Sequence, residues 1–183
     1  MKTLAFLGVA LAVFVSGVIA QSTPPGTSRA SDQEWLKQLV GEWDIEFKIH
    51  MQPEQRPTAA VGTDSVRALG DHWIIAETKT TMMGLPYSGV LSLGYDSQKK
   101  HFHGTWVDSF GGNLWVYTGT LNDERDTLTL ETEGPNLQDP SRSARYKEVI
   151  QITCEDSRTF TSSTEAEDGT WTKIVTIKYS RKQ

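Results

Sequence analysis

The chain has 183 residues, a length that suits one domain with a tail. Its 18 basic and 23 acidic residues leave a net charge of −5 with no basic block, which argues against nucleic acid or an anionic membrane surface as the main partner. Cys154 is the only cysteine, so an intrachain disulfide and a cysteine-built zinc site are both excluded.

The first twenty residues differ in kind from the rest. Lys2 precedes an apolar run from Leu4 to Val15, and Val18-Ile19-Ala20 supplies a small-residue cleavage site. This is the pattern of a secretory signal peptide over residues 1–20, which predicts a secreted or periplasmic bacterial protein. The run is too short for a membrane span, and no cysteine follows the cleavage site to carry a lipid anchor. Cleavage would remove one lysine and no acid, taking the charge from −5 to −6. Residues 21–30 (QSTPPGTSRA) have no apolar side chain larger than Ala and read as a disordered linker. Ser31 then opens a capping box with Glu34, ahead of Trp35, Leu36, Leu39 and Val40, and predicts a short amphipathic helix over 31–39 that Gly41 ends.

From Glu42 onward the hydrophobic period is two, and residues 31–183 read as a single all-β domain. Ten strands are predicted: 42–51, 60–69, 72–82, 87–96, 100–108, 113–121, 127–134, 144–154, 158–166 and 171–181. Turn residues such as Gly70-Asp71, Asp96-Ser97, Gly111-Gly112 and Asp168-Gly169 mark the joints. No crossover helix interrupts the series, so the sheet is an antiparallel up-and-down meander, and closure into a barrel removes its two bare edges. Alternation turns Trp43, Ile45, Phe47, Ile49 and Met51 inward on the first strand, and Trp171, Val175, Ile177 and Tyr179 inward on the last. Phe102 and Trp106 face inward on the fifth strand; Tyr146, Ile150 and Ile152 do so on the eighth. Ten strands enclose more room than side chains alone fill.

Closing the barrel places Arg181, near the end of the last strand, beside Trp43 in Gly41-Glu42-Trp43. A guanidinium on an indole face is a cation–π contact worth about 0.5–2 kcal/mol. The helix, the Gly-x-Trp tripeptide and the terminal arginine together resemble the calycin barrels: lipocalins, fatty-acid-binding proteins and nitrobindin-like proteins. Over about 36–182 the runs Met83-Gly84-Leu85-Pro86-Tyr87, Leu93-Gly94-Tyr95-Asp96, Thr105-Trp106-Val107-Asp108 and Tyr179-Ser180-Arg181 are similar to the bacterial domain-of-unknown-function family numbered 1579. That resemblance implies a fold and a compartment, and no activity.

Chain direction puts the loops after the odd-numbered strands at the end opposite the helix: 52–59, 83–86, 109–112, 135–143 and 167–170. Met82, Met83, Leu85, Phe110 and Leu137 gather there as an apolar rim, to be read either as a portal or as a plug. Just inside, parity turns Trp106, Asp108, Trp115, Tyr146, Glu148 and Lys173 inward. With Met83 and Phe110 these are the candidate ligand-binding residues. Glu148 and Lys173 are expected to pair or to meet a ligand, and Asp108 needs a donor.

His101 and His103 stand two apart on one strand, but Phe102 and Trp106 take the inward face and no third ligand is apparent, so a solvated pair is expected and no metal site. His72, the position that the nitrobindin-like resemblance would make a haem ligand, falls in a turn at the closed end, and no cofactor is expected. Cys154 has inward parity and reads as a buried, inert thiol. There is no Gly-x-Ser-x-Gly elbow, P-loop, dinucleotide fingerprint or EF-hand spacing. Three functions stay open: a barrel that carries a small, mostly apolar or amphipathic molecule inside, an enzyme using Asp108 or Glu148 as acid or base in the same cavity, and a plugged structural module. The first is favoured, since no catalytic spacing is present.

Overall fold

A computed structural model describes residues 31–50 and 56–183. The expected signal peptide, the linker at 21–30 and the inward placement of Met51 lie outside the described residues. One short helix, α1 (Asp32–Lys37), precedes ten strands: β1 (Gly41–Ile49), β2 (Thr58–Leu69), β3 (Trp73–Met82), β4 (Leu85–Asp96), β5 (His101–Asp108), β6 (Trp115–Leu121), β7 (Thr127–Pro135), β8 (Ser143–Cys154), β9 (Ser157–Glu165) and β10 (Trp171–Arg181). Each strand pairs antiparallel with its neighbour in sequence, and β1 pairs with β10, so the sheet is a closed up-and-down barrel.

Local chemistry starts and stops these elements where the alternation predicts. Ser31 caps α1 by accepting the Glu34 N–H at 3.1 Å. The helix stops at Lys37, two residues short of the predicted end, and Gly41 opens β1 at φ +136°, a conformation that side chains rarely adopt. The β3–β4 hairpin turns on Met83 and Gly84, both at positive φ, as a two-residue hairpin of the primed type requires.

The seam is built as predicted. Trp43 and Arg181 are register partners, and the guanidinium lies 4.2 Å from the Trp43 ring centroid. Arg181 also donates to the carbonyls of Val40 (2.8 Å) and Gln38 (3.2 Å), oxygens that the end of the helix leaves unpaired. The Trp43 indole N–H donates to the Leu39 carbonyl at 3.0 Å, and Trp35 donates to the Arg125 carbonyl at 3.0 Å. Trp35, Leu36 and Leu39 are buried at this end against Phe102 and the inward residues of the strands. The helix closes the barrel, and the loops after the odd-numbered strands lie at the other end.

Two predicted faces are wrong, for one reason. The β9–β10 register shifts between Lys173 and Val175, because Ile174 is an extra residue on β10. Such a bulge inverts the parity of everything beyond it. Trp171 and Lys173 therefore face out, and Trp171 packs under the Lys147 ammonium, 4.1 Å from the ring centroid. A second shift, between Ile152 and Cys154, turns Cys154 outward, where it is exposed rather than buried.

Trp43→Ala removes the ring on which the seam is stacked and should cost about 3–5 kcal/mol of stability. Arg181→Ala should cost less, because Trp43 stays packed. Chemical denaturation read by circular dichroism checks both, with both midpoints expected below that of the parent protein.

Candidate functional site

Inward side chains of the ten strands leave a cavity of about 280 Å³ inside the barrel, near the lower end of the range for small-molecule pockets. Its wall is mostly apolar: Phe47, Ile74, Leu91, Leu130, Ile150 and Phe160 are among its lining, with Met82 and Leu137 towards the mouth. Two indoles lie flat against this wall because glycines on neighbouring strands make room. A Cβ on Gly89 would come within 2.2 Å of Trp106, and one on Gly134 within 2.3 Å of Trp115. Trp115 in turn meets Tyr146 edge-on at 4.9 Å, and the Tyr146 hydroxyl donates to the Pro135 carbonyl.

Of the eight residues predicted from parity and loop position, five line this cavity: Trp106, Asp108, Trp115, Tyr146 and Glu148. The other three are not brought to it. The bulge at Ile174 turns Lys173 outside, so it is no partner for Glu148. Met83 stands at a hairpin apex with 73% of its surface exposed, and its neighbour Met82 takes the lining place. Phe110 is 46% exposed on the rim, edge-on to Tyr87 at 5.1 Å. Asp108 is held by its own turn: it accepts the Phe110 and Gly111 N–H groups on one oxygen and the Trp106 indole N–H on the other. That arrangement makes it a brace for the rim and for Trp106.

Towards the closed end lies a buried ion pair that the sequence reading missed. Arg158 donates to Asp64 at 2.9 Å, and Thr78 donates to the other Asp64 oxygen at 2.7 Å. The guanidinium sits 4.6 Å from the Trp43 ring and 4.2 Å from that of Tyr179. Burial raises the Asp64 carboxyl, and Arg158 and Thr78 offset only part of that rise. The sequence analysis did not single out either residue, because an arginine near a strand start gives no reason to look for an acid so far away in sequence.

Glu148 is in the opposite situation. It is 6% exposed, and among the described residues it has no cation beside it; Ser162 lies 3.0 Å from Oε1, and Oε2 is buried without a partner among those residues. Burial pushes its carboxyl from the ordinary 4.5 up to about 8. It is therefore largely protonated at neutral pH. Burial also holds the hydroxyls of Tyr87, Tyr117 and Tyr179, which line the same cavity, well above the usual phenol range.

A closed calycin-like barrel with an internal, apolar-walled cavity is the class that this fold and site define. The chain belongs to the family described as "Protein of unknown function (DUF1579)", whose model matches residues 28–181. No curated protein matches the sequence. Among solved structures it is similar to Rv2717c from M. tuberculosis, with a TM-score of 0.62 at 14% identity over 85% of this chain and 100% of that one. The S-type phycobiliprotein lyase CPES from Guillardia theta is similar with a TM-score of 0.55 at 15% identity, over 85% of this chain and 94% of that one. At such identities the likeness is one of fold.

The Glu148 carboxyl also sets a pH dependence. In the unfolded chain it ionises above its ordinary 4.5, whereas in the barrel it keeps its proton up to about 8. The unfolded state thus binds fewer protons across that window, and stability falls as pH rises through it. Glu148→Gln, which has no proton to lose, should be more stable than the parent at pH 8, with the advantage shrinking towards pH 5. Urea midpoints of the two proteins across that range check this.

Proposed function

We propose that this protein is an exported carrier that holds a small, mostly apolar molecule inside its barrel and orients it through one hydrogen-bond acceptor, such as a carbonyl oxygen. Glu148 is the observation that carries this reading. A protonated carboxyl whose Oε2 has no partner among the described residues, on a wall that is mostly hydrocarbon and aromatic ring, is a directed donor. A ligand oxygen that accepts it satisfies a group whose isolation costs free energy, and a wholly apolar ligand leaves that cost in place. The phycobiliprotein lyase and Rv2717c support the barrel architecture of this reading. Export rests on residues 1–20, whose charged start, apolar run and Val18-Ile19-Ala20 site suit a signal peptidase.

A second reading, an enzyme with Glu148 as general acid, draws on the same raised pKa. The other carboxylate of that scheme, Asp108, is engaged by two backbone N–H groups of its own turn and by the Trp106 indole. No nucleophile–base pair stands beside Glu148, whose one hydrogen-bond partner in the described residues is Ser162. The carrier is the better fit.

Calorimetric titration at pH 6.5 with 1-indanone and with indane, which differ by one carbonyl oxygen, tests the reading. The ketone is expected to bind at least tenfold more tightly, and Glu148→Leu to erase the difference. Equal affinities in the parent protein, or no binding of either probe, would overturn it. Export is checked separately: N-terminal sequencing of protein recovered outside the cytoplasm of an expressing bacterium should begin at Gln21.

A further inference from the structure

The outer wall of the barrel near its closed end carries a second cluster of chemistry. On β5, Phe102 is buried in the core, so His101 and His103 project outward together. The β4–β5 register sets Asp96 opposite His101 and Gly94 opposite His103. Asp96, at the end of β4, thereby becomes the third donor that spacing along one strand could not supply. One ligand atom from each of the three residues lies within 4.8 Å of the others.

From this geometry we infer that Asp96, His101 and His103 form a binding site for a divalent cation of the zinc type, separate from the cavity inside the barrel. The set is held in place by its surroundings. Trp73 packs edge-on against the His103 ring at 4.7 Å, and the two imidazoles meet edge-on at 5.8 Å. Trp73 reaches that position because it crosses Gly94, where a Cβ would come within 2.6 Å of the indole. Asp96 Oδ1 accepts the backbone N–H groups of Gln98 and Lys99, which fixes the carboxylate on the hairpin. Oδ2 has the mostly exposed Lys99 ammonium at 3.8 Å, a weak surface contact that a divalent ion displaces.

Two imidazoles and one carboxylate suit zinc, copper(II) or nickel, whereas calcium and magnesium call for more oxygen donors. Bonds of about 2.1 Å in tetrahedral geometry set donors about 3.4 Å apart, so the three side chains close up by about 1 Å on binding. Three protein donors leave the fourth position to water or to an outside ligand, the arrangement of an open site rather than a sealed structural one. The Lys99 ammonium beside Asp96 opposes a cation through its charge.

Calorimetric titration of Zn²⁺ into the untagged protein, in a buffer that does not bind metal, tests the inference. One ion per chain is expected. His101→Ala, His103→Ala and Asp96→Asn should each weaken binding at least tenfold, while His72→Ala, in the turn before β3, leaves it unchanged. Asp96→Asn is the decisive variant, because an asparagine oxygen still accepts the two backbone N–H groups while the charge and the free oxygen ligand are lost. Circular dichroism of each variant without metal shows that the barrel is intact. Absence of Zn²⁺ binding by the parent, or a loss smaller than tenfold in any of the three site variants, would overturn the site.

Discussion

A ten-stranded antiparallel sheet has two edges, and this one hides both only if β1 finds β10 in the correct register. Trp43 and Arg181 make that meeting specific. The guanidinium stacks on the indole and also binds the Gln38 and Val40 carbonyls, so a single side chain ties the last strand to the first strand and to the helix. Gly41 allows the approach, since a Cβ there would come within 2.4 Å of the guanidinium. With this end laced shut by the helix, the loops that follow the odd-numbered strands lie at the far end.

Two of the interior carboxyl groups, Asp64 and Glu148, sit in different electrostatic surroundings. Asp64 has Arg158 and Thr78 as partners, and the guanidinium has aromatic faces of Trp43 and Tyr179 around it. A buried pair of this kind adds little net stability against an apolar replacement, yet breaking it strands a charge, and so it holds β2, β3 and β9 in place. Glu148 has no cation, and the low-dielectric surroundings neutralise it instead. The difference comes from placement: Lys173 would have given Glu148 a counter-charge, and the extra residue Ile174 puts that lysine on the outside of the barrel. At Glu148 the cavity therefore presents a neutral carboxyl rather than an ion pair.

Glycine does similar work at several places in the wall. Trp106 lies over Gly89, Trp115 over Gly134 and Trp73 over Gly94, each ring occupying the space that a side chain on the adjacent strand would fill. Inside the barrel this leaves the indoles flat and the cavity between them open. Outside, it places Trp73 beside His103. The same device thus shapes the inner pocket and orients an outer histidine.

The amino-acid order by itself determined the period-two pattern, the number of strands, the capping of the helix and the pairing of Trp43 with Arg181. Each of these follows from neighbours close in sequence or from the single rule that an antiparallel sheet must close. It also determined which residues share a face within an unbroken strand, and so Trp106, Asp108, Trp115, Tyr146 and Glu148 were legible as cavity residues. What alternation cannot register is an inserted residue, because Lys173-Ile174-Val175 and Ile152-Thr153-Cys154 look like ordinary strand until a partner strand shows which residue is left unpaired. Lys173 and Cys154 were misplaced for that reason. The Arg158–Asp64 pair, the isolation of Glu148 and the meeting of Asp96 with His101 and His103 were decided by tertiary structure alone, since each depends on register between strands and on how far burial removes water from the groups that meet.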